Sequence, residues 1–228
     1  MNPKTSFEER SEILVQRLVS SGILRDKRVI KAMLTVPREE FVPRSLKEQA
    51  YIDTPLHVGC GQTISAPHMV AIMCQELDLK PGQKVLEIGA GSGYHAAVTA
   101  ETISTQERGS RSQIFSLEIV KELVSFAKDN LQRTGYGGQV KVIEGDGSQG
   151  YIEEAPFDRI YATAAPPSVP TPLVYQLNLD GILVIPVGEI GLFQELLKIE
   201  KKESGEIVTR RLGGVAFVPM RGKYGLKH

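Results

Sequence analysis

Short apolar runs alternate along this chain with segments whose apolar residues recur every three or four positions, the pattern of strands interleaved with helices. Phe7–Ser20 has helical spacing through Ile13, Leu14, Arg17 and Leu18, and Gly22 is placed to end it. A second helix is predicted over 26–35, stopped before Pro37, and 37–43 (P-R-E-E-F-V-P) reads as a proline-bracketed connector. Residues 50–58 read as extended, a small hairpin arm. Thr63 or Ser65 is placed to cap a helix over 67–77, with Pro67 at the favoured first position. After the turn L-K-P-G at 79–82 the alternation becomes regular: strands over 85–88, 113–117, 140–144, 157–163 and 181–186, with helices from Tyr94, over 120–132 and over 172–177. Two later strands are predicted at 195–200 and 206–212, with the charged run 198–203 as a solvated hairpin turn. The expected fold is α/β: a doubly wound, mostly parallel sheet with helices on both faces, an N-terminal helical cap and antiparallel C-terminal strands.

The 228 residues suffice for one sizeable core. With no repeat and no long linker, one domain is expected, 1–60 forming the cap and arm and 61–228 the α/β core and C-terminal strands. A formal net charge of +0 argues against a dedicated nucleic-acid binder. No apolar run approaches the ~20 residues that span a bilayer, and the polar start M-N-P-K-T-S-F-E-E-R lacks a signal-peptide core. Cys60 and Cys74 are therefore expected to be reduced, packed thiols in a cytoplasmic protein, with no membrane partner and a monomeric state. Two cysteines and four scattered histidines make no metal set, and His57, His68 and His95 are read as structural.

The chemistry concentrates in 85–94, V-L-E-I-G-A-G-S-G-Y. A buried strand ends at Glu87 and Ile88, and Gly89, Gly91 and Gly93 allow a tight turn and close approach of a ligand. The next helix points its N-terminus at that turn, as in nucleotide-type α/β sites. The spacing is G-x-G-x-G, not the G-x-G-x-x-G of dinucleotide binders, and no G-K-[ST] comes after it, so a ligand without pyrophosphate is expected. E-x-G-x-G-x-G is similar to the motif of S-adenosylmethionine-dependent methyltransferases, whose Rossmann-like fold is then implied. There the turn backs the methionine portion and an acidic residue ending the next strand holds the ribose hydroxyls. That residue is Glu118, displaced from the turn by a polar loop insertion at 104–112.

A second block, 59–67 (G-C-G-Q-T-I-S-A-P), narrows the resemblance. Together with V-P-R-E-E-F-V-P at 36–43, G-D-G at 145–147, P-F-D at 156–158, A-A-P at 164–166, I-P-V-G at 185–188 and F-V-P at 217–219, the chain resembles the protein-L-isoaspartate (D-aspartate) O-methyltransferases over nearly its whole length. The resemblance implies S-adenosyl-L-methionine as cofactor and isoaspartyl proteins and peptides as substrates. It implies Ser65 as the catalytic residue, and cofactor contacts from Gln62, Thr63, Ile64, Ser65, Glu87, Ile88, Gly89, Ala90, Gly91, Glu118, Gly145 and Asp146. Ala90 stands where threonine is frequent in that family, and His95 where glutamine is.

The implied substrate carries a free α-carboxylate with a pKa near ~3.5, already ionised at neutral pH. Such a nucleophile needs alignment and desolvation more than a strong base. Ser65 is accordingly read as an orienter of that carboxylate, alongside its capping role. The resulting methyl ester lets the neighbouring amide close a succinimide, whose hydrolysis returns some normal aspartate. A serine-hydrolase reading lacks its G-x-S-x-G elbow. An amino-methylating reading lacks the acidic or amide residue before the prolines at 164–167. Glu87 has a structural alternative as a buried acid, and Asp146 one as a turn-shaping residue between glycines.

Overall fold

The computed structural model describes residues 5–104, 113–189 and 193–226. Its centre is a seven-stranded sheet in the order β5-β4-β3-β6-β7-β8-β9. These strands are β3 (Lys84–Ile88), β4 (Gln113–Glu118), β5 (Val140–Glu144), β6 (Phe157–Ala162), β7 (Leu177–Val187), β8 (Gln194–Lys201) and β9 (Ile207–Val215). Strands β3 to β7 pair in parallel, while β8 and β9 add antiparallel. Strand order reverses at β3, whose neighbours β4 and β6 lead to opposite edges; this is where α/β sheets open a ligand crevice.

Strand alternation divides the core. Val85 and Ile114 face one side, where α1 (Phe7–Ser20), α2 (Lys27–Thr35), α3 (Pro67–Glu76), α4 (Tyr94–Ile103) and α5 (Lys121–Arg133) contribute buried apolar residues. Leu86, Ile88, Phe115 and Leu117 face the other, covered by α6 (Thr171–Tyr175), Tyr151 and Met220. The helical layers expected on both faces are therefore unequal.

Local chemistry sets the N-terminal elements. Ser6 and Glu9 form a reciprocal capping box on α1 at 3.1 and 2.8 Å. The Asp26 carboxylate caps α2 by accepting from Arg28 N at 2.7 Å. The connector and the segment after it form two short 3-10 turns, Arg38–Phe41 and Arg44–Gln49. The arm is a hairpin of β1 (Leu56–Gly59) and β2 (Gln62–Ile64), turning at Cys60 and Gly61 in positive φ.

Three expectations need correction. Neither Thr63 nor Ser65 caps α3: Ala66 is its N-cap, with no side-chain bond, and His68 N donates instead to Asp53 Oδ1 at 2.9 Å. The short helix ends at Tyr175 and β7 begins at Leu177, because Phe157 pairs with Leu177 before a bulge resumes the ladder at Arg159 and Ile182. The 198–203 run is not a turn. Lys198 to Lys201 complete β8, Lys198 is buried and ion-paired with Glu76 at 3.3 Å, and the chain turns at 202–205. Charge alone could not separate a strand end carrying a buried lysine from the loop beyond it. Among the described residues no helix is long and apolar enough to cross a membrane.

Candidate active site

A crevice opens where β3, β4 and β6 end. Ile88, Gly89 and Gly91 come from the β3 side, Leu117 to Val120 from β4, Gly147 from the turn after β5, and Thr163 and Ala164 from β6. Gln62 and Thr63 of the hairpin close one flank, and Val218 to Arg221 the other. Gly89 is required here: its φ is +94°, and a Cβ would collide with Thr163 Oγ1, which donates to Gly89 O at 2.7 Å.

The Glu118 carboxylate is buried at the crevice wall. One oxygen accepts from Gly91 N and the other from Val120 N, both at 2.9 Å. It thereby holds the glycine turn against β4, and each oxygen keeps a lone pair for a ligand hydroxyl. An adjoining inner pocket is lined by Thr63, Ile64, Ser65, Gly89, Ala90, Gly91, Ser92, Tyr94 and His95. Beyond it lies an open groove with Ser65, His68 and Gln194 among apolar walls from Pro55, Met69, Val215 and Phe217. Thr63 and Thr163 border all three spaces. Ser65 borders the inner pocket and the groove, and its hydroxyl has no hydrogen-bond partner among the described residues.

Nine of the twelve sequence-selected residues thus line connected spaces: Gln62, Thr63, Ile64, Ser65, Ile88, Gly89, Ala90, Gly91 and Glu118. Glu87, Gly145 and Asp146 are not among the lining residues. Glu87 sits one residue inside the end of β3, and its side chain points into the core. It is fully buried, accepting from Ser116 Oγ and from Tyr161 Oη at 3.0 Å, and burial pushes its carboxyl up to about 8. Asp146 faces the C-terminal segment: it accepts from Ser148 N at 3.0 Å and from Lys223 N at 2.8 Å, fastening that segment beside the crevice. Gly145 N is bonded to Glu118 O at 3.0 Å, and Gly147 supplies the lining in that turn.

Thr163 escaped the sequence reading. It stands at the C-terminal end of a predicted parallel strand, the end that borders ligands in such sheets, and that position was its available signal. His68 also has a more specific setting than its sequence suggested, since its Nδ1 lies 2.9 Å from Asp53 Oδ1. Behind the inner pocket, Cys74 Sγ and His95 Nε2 are 3.4 Å apart and His95 Nδ1 is buried without a partner among the described residues. Burial pushes the Cys74 thiol up to about 12 and holds the His95 imidazole down to about 3, so both are neutral.

Comparison with known proteins decides among methyl-transfer chemistries. The sequence profile of the Protein-L-isoaspartate(D-aspartate) O-methyltransferase family matches residues 9–225. The chain belongs to this family. It is 54% identical over 221 residues to the protein-L-isoaspartate O-methyltransferase of Methanopyrus kandleri, covering 97% of this chain and 95% of that one. It is 52% identical over 221 residues to the enzyme of that name from Hyperthermus butylicus, covering 96% and 91%. A Plasmodium falciparum beta-aspartate methyltransferase, crystallised with S-adenosyl-L-homocysteine, superposes with a TM-score of 0.82 at 35% identity over 92% of this chain and 98% of that one. The protein-L-isoaspartate O-methyltransferase fold thus carries the crevice, the inner pocket and the groove.

Proposed function

We propose that this chain moves a methyl group from S-adenosyl-L-methionine to the α-carboxylate of L-isoaspartyl residues in proteins and peptides, and that Ser65 orients that carboxylate. The observation carrying this reading is the position of Ser65, whose hydroxyl, without a hydrogen-bond partner among the described residues, borders both the inner pocket and the outer groove. The residues present suit the cofactor. Glycine backbone at 89 and 91 admits close approach, and Glu118 offers two acceptor oxygens where a ribose would need them. When bound, the cofactor supplies an electrophilic methyl group on a sulfonium.

The chain's own residues hold and align. The acceptor carboxylate is ionised at neutral pH, so no proton has to be removed before its oxygen forms the new bond to carbon. Ser65 donates a hydrogen bond that fixes the direction of attack. The groove walls from Pro55, Met69, Val215 and Phe217 exclude water and hold the peptide backbone. Side chains far along the substrate find no enclosing pocket in an open groove, which fits a repair enzyme that accepts many sequences. The balance of 27 basic and 27 acidic residues supports protein rather than nucleic acid as substrate, and the reading extends to a cytoplasmic monomer.

Matched peptides with an isoaspartyl or a normal aspartyl residue at one position test the reading. The two carboxylates are chemically alike, so discrimination must come from placement, and an error of about 1 Å loses on the order of a hundredfold in rate. Strong preference for the isoaspartyl peptide is expected. Comparable rates on both would overturn the substrate assignment while leaving cofactor binding untouched.

A further inference from the structure

Arg38 lines none of these three spaces, yet it is fully buried directly behind them. Its Nε donates to Ala50 O and its Nη2 to Ser65 O, both at 2.8 Å. These carbonyls are the two roots of the arm that carries β1 and β2. The guanidinium also lies over the Tyr94 ring, 4.7 Å from its centroid, and Tyr94 lines the inner pocket. Among the described residues no carboxylate pairs with it, and Nη1 is buried without a partner. A buried cation without an ion-pair partner is costly to the fold, and an apolar side chain would fill such a site at less expense. What the guanidinium supplies instead is a rigid planar fork that sets two backbone oxygens at a fixed separation, which a lysine ammonium cannot do.

We propose that Arg38 is the positioning residue of Ser65, stapling the roots of the arm so that the serine hydroxyl keeps its direction between inner pocket and groove. Local structure leaves that task open. The Ser65 side chain has no hydrogen bond of its own among the described residues, and α3 begins after it without a side-chain cap from Thr63, Ser65 or Ala66. Among the described residues, the bond to Ser65 O ties this residue's backbone to the rest of the core. The inference rests on the proposed orienting role of Ser65.

A double-mutant cycle separates the two. Wild type, Arg38→Lys, Ser65→Ala and the double variant are compared for kcat and KM on an isoaspartyl peptide and for S-adenosylhomocysteine affinity by calorimetry. Measurements are made at a temperature where circular dichroism shows all four folded. Arg38→Lys is expected to lower kcat about ten- to a hundredfold while S-adenosylhomocysteine affinity changes by less than about threefold. In the Ser65→Ala background the same change should alter kcat by less than about twofold, because its target is gone. A purely structural role would lower the melting temperature and leave kcat per folded molecule unchanged. Equal losses in both backgrounds would overturn the positioning role with the Ser65 reading intact; full activity of Ser65→Ala alone would overturn both. If Arg38→Lys does not fold, Arg38→Gln, which keeps one amide donor, runs the same cycle against the same criteria.

Discussion

Glu118 does two things with one carboxylate. Its oxygens accept from Gly91 N and Val120 N, and the same oxygens face the crevice. Removing the side chain should therefore weaken the cofactor and loosen the glycine turn together. Glu118→Ala is expected to cost S-adenosylmethionine binding about 1–3 kcal/mol, the range for hydrogen bonds to a charged group. Calorimetry reads this directly, and unchanged affinity would remove Glu118 from the cofactor site. The acid was legible in sequence because the resemblance to methyltransferases implies an acidic residue at the end of the strand after the glycine turn, and periodicity located that strand end at Glu118. Glu87 satisfied the same local pattern and shares Glu118's face of the sheet, but it stands one residue inside its strand, enclosed by Ser116 and Tyr161, whereas Glu118 is the last residue of β4 and reaches the crevice. Depth along a strand was therefore the weakest part of the reading, whereas the glycines of the turn after β3 were its strongest.

At the scale of elements, the order of strands and helices came from periodicity, while the contacts joining distant segments did not. The cap of α3 illustrates this. A serine two residues before Pro67 is the obvious local candidate, yet the acceptor comes from Asp53 in the arm, which takes both His68 N and His68 Nδ1 at 2.9 Å. Asp53→Ala should thus lose about 1 kcal/mol of stability through the cap, lowering the melting temperature by roughly 2–4 °C for a chain of this size. Ser65→Ala breaks no capping bond and should melt within about a degree of wild type. Thermal unfolding of the two variants side by side tests the assignment; the reverse order would restore Ser65 as the cap. The hidden strand in 198–201 has the same origin. Burial of Lys198 depends on Glu76 of α3, far away in sequence, and nothing near the lysine announces it.

Across the whole molecule, two buried groups should shape stability against pH. Burial raises the Glu87 carboxyl from 4.5 to about 8, so between these values the folded chain holds a proton that the unfolded chain releases. Rising pH then favours unfolding. Burial lowers His95 from 6.5 to about 3, so between these values the unfolded chain binds a proton that the folded chain refuses, and falling pH favours unfolding. From about 4.5 to 6.5 the two effects oppose each other. Above 6.5 only Glu87 acts, up to about 8. Asp26 and Glu40, whose carboxyls lie below their ordinary values, act only on the acid side. At roughly 1.4 kcal/mol per pH unit, stability should fall on the order of 2 kcal/mol between pH 6.5 and 8. Glu87→Gln removes the ionisation while its amide can still serve Ser116 and Tyr161, so urea unfolding of this variant should be nearly flat over that interval. Its stability should exceed that of wild type by more at pH 8 than at pH 6.5. If the variant keeps the wild-type slope, the alkaline loss comes from another group and Glu87 is not the buried acid that limits the fold.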